Sequence, residues 1–328
     1  MKFLKLCTCV LALASTFTHA QAQPRQVTVV NAFGAITSLQ PNLAFEKFSK
    51  SLRSLPAGVG FELRSSAAMP PSFAFDSVSS GKIQMMWAQS AYFSSKEFAF
   101  TLLTYPPFIT AERYLQWRSL PDTVRSVDSL YSKYRLKAIP CSVVDSNMDF
   151  VLRATPEGES PYRGARIVMV GPLQEIYAAS GIVPLAIPIT EVARSMQTGT
   201  IDGAYAYSPY DSIELRLYES TKALIFPSKV RSFFSIDLLV NLEFWTGLPE
   251  SDRSAIEGVC RNLTAETLVS SRKLADDAVE RYKQTGVIVM PLPHTETEAM
   301  RLKWEEIAAK RAVFEPVFDQ LFKSLYGK

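Results

Sequence analysis

The sequence predicts an α/β protein built as two similar lobes that face one cleft, followed by long helices that brace both. Three observations carry this expectation. Strand-like and helix-like segments alternate in two successive blocks. Each block contains a related ten-residue stretch, Gly81-Lys-Ile-Gln-Met-Met-Trp-Ala-Gln-Ser90 in the first and Gly199-Thr-Ile-Asp-Gly-Ala-Tyr-Ala-Tyr-Ser208 in the second. The C-terminal part is mostly helical in pattern. The related stretches both place Gly first, Ile third, an aromatic residue seventh, Ala eighth and Ser tenth. Each follows a helix-like segment, where Gly supplies a left-handed stop. Each then runs as a strand whose far end delivers bulky side chains, and ligands of open α/β sheets sit at such ends.

In order along the chain, Val27–Asn31 is β-rich and Leu43–Leu52 is helical, with Phe45 and Phe48 on one side. Gly60–Arg64, the helix Phe73–Ser80 and the strand Ile83–Trp87 complete a β-α-β-α-β order. Tyr105-Pro-Pro-Phe108 is a rigid extended connection. Ala111–Tyr134 is expected as one helix and Leu136–Pro140 as a strand. From Ser142 the alternation restarts with strand Asp149–Arg153, turns over Thr155–Arg163 and strand Ile167–Val170. A short helix, Leu173–Ala179, precedes the Pro-punctuated Val183–Pro188. Thr190 suits an N-cap, with Glu191 in the first turn where the helix dipole favours a carboxylate. Ile201–Tyr207 and Ser235–Asn241 are further strands. Pro249–Tyr282 carries Ile256, Cys260, Leu263, Leu274 and Ala278 at helical spacing, and Met300–Leu325 is a second long helix interrupted at Pro316. Sheets dominated by parallel pairing are expected.

Lys2 and Lys5, the apolar Leu6–Ala14 and the small-x-small Ala20-Gln-Ala22 form a cleavable secretory signal over residues 1–22. The apolar run is too short to span a membrane, so export to the periplasm without direct membrane insertion is expected. Without the two signal lysines the chain carries 33 Lys+Arg against 32 Asp+Glu, which argues against nucleic acid as a partner. Cys141 and Cys260 remain in the mature chain. An oxidising compartment permits a disulfide between them, and two buried thiols fit equally well.

Catalytic constellations are scarce. The mature chain has one histidine, His294, in Pro291-Leu-Pro-His294, and no Gly-x-Ser-x-Gly elbow accompanies it. One His and two distant Cys do not make a zinc site, and no phosphate-binding Gly-rich signature is present. No cofactor, metal site or catalytic residue is expected. Binding is the more natural reading, with Trp87, Gln89 and Phe93 offered by one block and Tyr205 and Tyr207 by the other. Any of these aromatics could equally be core.

Gly164-Ala-Arg-Ile167, Gly181-Ile-Val-Pro184 through Thr190-Glu191-Val192, and Met196-Gln197-Thr-Gly199-Thr-Ile-Asp202-Gly203 resemble the signature of TRAP-transporter solute-binding proteins of the DctP type. Leu238-Leu-Val-Asn241 and Trp245-x-x-Leu-Pro-Glu250 resemble the flanking strand and helix start, and Gly81 opens the similar first-lobe run. The resemblance implies a two-lobe periplasmic binding protein fold, with a ligand cleft between the lobes and long C-terminal helices bridging them. It implies lobe I over residues 23–144 plus about 235–274, and lobe II over 145–234 plus about 275–328. The implied function is capture of a small organic solute, an organic acid or a less polar aromatic compound, by lobe closure. Delivery to the membrane subunits of a TRAP-type secondary transporter follows. The alternatives are a periplasmic ligand-binding protein serving a sensor or another importer, and, remotely, a hydrolase using His294.

The departures from the family pattern concern charge. The resemblance implies an arginine at the end of the Gly-x-Lys-x-Arg strand, where it pairs with a ligand carboxylate. Here Arg166 takes the Lys position and Val168 the Arg position. A second family arginine would fall near Met148. Arg153, later in that strand, is the candidate replacement, and an exposed or ion-paired arginine is the other reading. Asn31 falls where members place a polar ligand contact, and Gln89 where some have Glu. A buried carboxylate without a cationic partner costs several kcal/mol, so the ligand either finds another cation or is less polar.

Overall fold

The computed structural model describes residues 27–327 apart from 35, 55–63, 66–68, 160 and 170. The expected signal, residues 1–22, and most of the expected strand Gly60–Arg64 lie outside the described residues.

Two mixed sheets organise the chain. In the first, β1 (Thr28–Asn31) is flanked by parallel β2 (Arg64–Ser65) and β3 (Met85–Ala88). Strand β10 (Phe233–Asn241) then runs antiparallel between β3 and β4 (Leu136–Asp145). In the second, β6 (Arg166–Val168) is flanked by parallel β7 (Val183–Leu185) and β8 (Gly203–Ala204). Strand β5 (Phe150–Leu152) runs antiparallel between β8 and β9 (Ala223–Ile225), and β11 (Ile288–Met290) adds a parallel edge. The order β2-β1-β3-β10-β4 therefore recurs as β7-β6-β8-β5-β9, with the same sense at every pairing. Among the described residues, five of the nine pairings are parallel, as expected, and the four antiparallel ones all involve β5 or β10. Strands β5 and β10 each arrive from the opposite lobe, entering at the carboxyl ends of the parallel strands, and so run against them.

Helix α1 (Gln40–Arg53) lays Phe45, Phe48 and Leu52 on the first sheet, Phe48 stacking on Trp87 at 5.3 Å between ring centroids. Helix α2 (Pro71–Ser79) ends at the left-handed Gly81 (φ +78°), and α6 (Ile189–Thr198) ends at the left-handed Gly199 (φ +76°). The expected helix Ala111–Tyr134 is two, α3 (Ala111–Ser119) and α4 (Pro121–Ser132). Pro121 forces Leu120 into extended backbone (ψ 134°), which ends α3 and opens α4. Thr190 does not cap α6: the helix starts one residue earlier, after Pro188, without a side-chain cap.

Alternation along β5 and β9 divides the second sheet's interior. Val151 and Leu224 face Val192, Met196, Ile213 and Tyr282, whereas Phe150 and Ile225 face Tyr162, Ile176 and Tyr177. The 35-residue α9 (Glu250–Gln284) spans both lobes, meeting β4 and α1 with its first half and α7 (Pro209–Glu214) and β11 with its second. A disulfide joins Cys141 of β4 to Cys260 of α9, which settles the two readings of these residues. Helix α10 (His294–Phe314) packs on α5 (Leu173–Tyr177), but α11 (Pro316–Tyr326) returns to the first lobe. There the Arg113 guanidinium donates to the Leu325 carbonyl at 2.7 Å and the Tyr326 hydroxyl to the Pro107 carbonyl at 2.7 Å.

Candidate functional site

The carboxyl ends of β3 and β8 carry equivalent residues: Trp87, Ala88, Gln89 and Ser90 on one, Tyr205, Ala206, Tyr207 and Ser208 on the other. Both serines do the same local work. Ser90 Oγ accepts from the Tyr131 hydroxyl and donates to buried Asp237, each at 2.5 Å. Ser208 Oγ accepts from Gln40 Nε2 at 2.6 Å and donates to buried Asp211 at 2.7 Å. The difference lies in what they join. Ser90 is satisfied within lobe I, whereas Ser208 ties α7 of lobe II to the first turn of α1.

The lobes meet through this second set. The Gln40 backbone N–H donates to Asp211 Oδ1 at 2.7 Å, beside the Gln40–Ser208 bond. The Tyr92 and Tyr207 hydroxyls lie 3.3 Å apart. Phe33 meets the rings of both tyrosines, at 5.8 and 5.9 Å, and Tyr207 continues to Tyr205 and Phe234. Burial pushes the Asp211 carboxyl up to about 7, against the hydrogen bonds from Gln40 and Ser208 that pull it down. Burial likewise holds the Tyr92, Tyr205 and Tyr207 hydroxyls above the usual tyrosine value, so they stay neutral donors.

Beside Tyr205 lies a guanidinium that the sequence did not point to. Arg231 sits on the crossover between β9 and β10, 1% exposed. Its Nη1 donates to the Tyr205 hydroxyl at 2.6 Å and its Nη2 to the Met148 carbonyl at 2.9 Å. The cation also lies 3.9 Å from the centroid of the Tyr205 ring. The neighbouring Asp149 accepts from Tyr177 and Ser228, and burial raises its carboxyl to about 6.

The expected site residues divide. Tyr205 and Tyr207 stand in the seam. Asn31 lies at its lobe I side, where its Nδ2 donates to Asn42 Oδ1 at 2.6 Å and its Oδ1 accepts from the Phe33 N–H. Val168 is buried with Met148 and Ala204 at the base of lobe II, and its carbonyl accepts from the Tyr205 N–H at 2.7 Å. Gln89 is buried, with no partner for its Nε2 among the described residues. Trp87 and Phe93 are lobe I core instead. Trp87 is packed on Phe45 and Phe48 with its indole N–H on the Pro41 carbonyl, and Phe93 against Phe75. Arg153 stands at the wrong end of the sheet. Because β5 runs against β8, the end of β5 reaches the start of β8: the Arg153 N–H donates to the Asp202 carbonyl and its guanidinium lies against Gly199.

The motif residues build lobe II. Arg166 forms a paired contact with Asp202, at 2.9 Å for both Nε–Oδ2 and Nη2–Oδ1. Gly203 lets β8 approach β5, since a Cβ there would meet the Val151 carbonyl at 2.5 Å. Gln197 donates to Glu219, and Glu191 is exposed in the first turn of α6. His294 is exposed at the start of α10, outside the seam. Sequence reasoning missed Phe33, Gln40, Tyr92, Asp211 and Arg231. Ser208-Pro-Tyr-Asp211 is a capping-box spacing that could have exposed Asp211; Arg231 has no such signal. A separate cavity of about 480 Å³ opens between α3, α4, β4 and α9, and shares no residue with the seam.

Residues 164–313 match the model of bacterial extracellular solute-binding protein family 7, DctP. The monocarboxylate 2-oxoacid-binding periplasmic protein of Nostoc sp. is 22% identical over 250 residues, covering 75% of this chain and 69% of that protein. A TRAP transporter solute-binding protein from Bordetella bronchiseptica, solved with calcium and picolinate, has a similar fold, with a TM-score of 0.84 at 20% identity over 93% of this chain and 91% of the other. A TRAP periplasmic solute-binding protein from Colwellia psychrerythraea, solved with calcium and pyruvate, matches with a TM-score of 0.84 at 18% identity over 93% and 94%.

Proposed function

We propose that the chain, whose residues 164–313 match the DctP family of bacterial extracellular solute-binding proteins, is a member of that family and the extracytoplasmic receptor of a TRAP-type secondary transporter. It captures a small organic solute by lobe closure and hands it to the membrane subunits. The observation that carries the proposal is the seam. Gln40 reaches Ser208 and Asp211 across it, and Phe33 and Tyr92 reach Tyr207, so these contacts exist only when the lobes meet. A solute lodged there contacts both walls at once and binds the closed form better than the open one. That differential affinity is all that is needed to shift the equilibrium. No bond is made or broken in this task.

The relatives named or solved with 2-oxoacids, picolinate and pyruvate support a small organic acid as the solute. The tyrosine-rich walls support one with a compact or aromatic body. The lobes are proposed as residues 23–144 plus about 235–274, and 145–234 plus about 275–328, with α11 docked back on the first. The mature protein works in the periplasm. Among the described residues no helix is long and apolar enough to cross a membrane.

The test is a thermal-shift panel of organic acids, amides and neutral aromatics on the mature protein, followed by small-angle scattering with each hit. At least one solute is expected to raise the melting temperature and compact the particle. A panel in which nothing does either removes the reading.

A further inference from the structure

We propose that Arg231 is the anion anchor of the cleft, and that the solute is a monocarboxylate with a compact apolar or aromatic body. This rests on the receptor reading above and names the ligand class for that same site.

The starting point is a buried charge without an ion-pair partner. Among the described residues, Arg118 and Arg231 are the buried members of the Lys and Arg set. Arg118 has its counter-charge, with Nη2 on Asp237 at 3.3 Å. Arg231 is in no ion pair among the described residues. The oxygens its guanidinium meets, the Tyr205 hydroxyl and the Met148 carbonyl, are neutral. Neutral acceptors and a ring face spread a buried charge without cancelling it, and a buried cation without a counter-ion is costly. Of the five guanidinium N–H groups, two are used in these bonds, which leaves donors for an incoming carboxylate. Of the nearby acids, Asp149 accepts from Tyr177 and Ser228 through Oδ1 only, and its buried Oδ2 has no hydrogen-bond partner among the described residues. Asp211 is engaged with Gln40 and Ser208, and both acids act on Arg231 through space rather than by an ion pair.

The position fits as well. Strand positions Met148 and Val168 supply no guanidinium, yet the Arg231 Nη2 bond holds a cation against the Met148 carbonyl. Arg231 delivers it from the crossover, beside Tyr205 at the carboxyl end of β8. Binding to an anchor on the crossover couples recognition to the segment that turns when the lobes close.

The chemistry of the walls sets the rest of the ligand. One buried cation serves the seam, so a second carboxylate would find no counter-charge and would face Asp149 and Asp211. The remaining walls are Phe33, Tyr92, Tyr205, Tyr207 and Phe234, which suit a compact, preferably planar, apolar body. Among the described residues no group of three or more His, Cys, Asp or Glu side chains could hold a metal ion. The anchor is therefore expected to work in the presence of a chelator.

The test compares acids with their near-isosteric amides on the mature protein: pyruvate with pyruvamide and benzoate with benzamide, with succinate as the dicarboxylate, by calorimetry with and without EDTA. At least one monocarboxylate is expected to bind on the order of 100-fold tighter than its amide, unaffected by EDTA, with succinate weaker. Arg231→Met should bring acid and amide to within a few-fold of each other, and Arg231→Lys should restore part of the difference. Tyr205→Phe should keep the preference, because the charge remains. If Arg231→Met does not fold, the acid–amide comparison on the wild type and the Lys variant carry the test. Equal binding of acid and amide by the wild type, or an acid preference that survives in Arg231→Met, overturns the anchor and leaves the receptor standing. A protein that binds no solute at all removes both.

Discussion

Asp211 turns the seam into a titrating contact. In the closed form its carboxyl is buried and raised to about 7, with Gln40 and Ser208 donating to it and Glu214 and Arg231 acting through space. Opening returns it to water, where a carboxyl has its ordinary value near 4. A group whose closed-form value is raised makes closure take up a proton. Closure is then fully favoured below the open-form value and loses that advantage as pH rises through about 7. Between pH 8 and pH 6 solute affinity should rise about tenfold, with most of the change below pH 7. Asp211→Asn should flatten the profile, and calorimetry in buffers of different ionisation enthalpy should show its proton uptake vanish. A slope that survives in Asp211→Asn would place the titrating group elsewhere. Residues at this scale were legible only where a pattern carried them. Tyr205 and Tyr207 came from the repeated ten-residue stretch. Arg231 sits in Ser228-Lys-Val-Arg-Ser232, a polar segment with neither strand nor helix period, where an exposed loop arginine is the default expectation. Arg153 was sought in the right strand, but the antiparallel course of β5 carries it away from the cleft end.

At the level of elements, the repeat is a repeat of topology. Helix, left-handed Gly and central strand recur at Gly81 with β3 and at Gly199 with β8. Gly199→Ala would force a Cβ onto φ +76° and within 3.0 Å of the Arg153 guanidinium. It should cost about 1–2 kcal/mol in a denaturant titration, and an unchanged midpoint would contradict the strain. The disulfide is the other device at this scale. It ties β4 to α9 across a separation of 119 residues, so reducing it restores a long loop's freedom to the unfolded chain. Reduction, or the double change Cys141→Ala with Cys260→Ala, should lower stability by about 2–4 kcal/mol. A melting temperature unmoved by reductant would mean that packing alone holds α9 on β4. Strand and helix order was readable because periodicity and Gly stops are local. The break between α3 and α4 at Pro121 was missed, because helical periodicity on both sides of it masked the kink. The docking of α11 on lobe I was not readable, since it depends on where a chain reversed at Pro316 finds an aromatic surface, Trp304 and Phe98 against Phe318.

Closure of the whole molecule is constrained by four segments of chain that pass between the lobes, one of them the α10–α11 turn at Glu315. Residues 146–149 and 226–232 run side by side, the Ser146 and Asn147 N–H groups donating to the Ser232 carbonyl and the Ser228 N–H to the Asn147 carbonyl. The third link is α9, which changes partner from the β4 face at Thr267 and Ser271 to the lobe II core at Ala278 and Tyr282. A hydrogen-bonded pair of crossovers can act as a hinge, while an unbroken helix limits the swing. The seam is crossed by few contacts, Gln40 to Ser208 and Asp211 and Tyr207 to Phe33, Tyr92 and Phe234, so in the proposed receptor the solute supplies much of what keeps it shut. Tyr207 is the most informative of these contacts. It meets Phe33, Tyr92 and Phe234, the last on β10 of the first sheet, and Tyr205 on its own side. Tyr207→Ala removes the crossing contacts from the closed form, whereas the open form never had them. Ligand-free stability should therefore change little, and the loss should appear in solute affinity, about tenfold. Most of it should fall on the dissociation rate, because the encounter with an open cleft needs no Tyr207. Stopped-flow binding beside a melting curve separates the two. A large drop in ligand-free melting temperature with unchanged affinity would make Tyr207 a core residue and leave closure to Gln40, Ser208 and Asp211 alone.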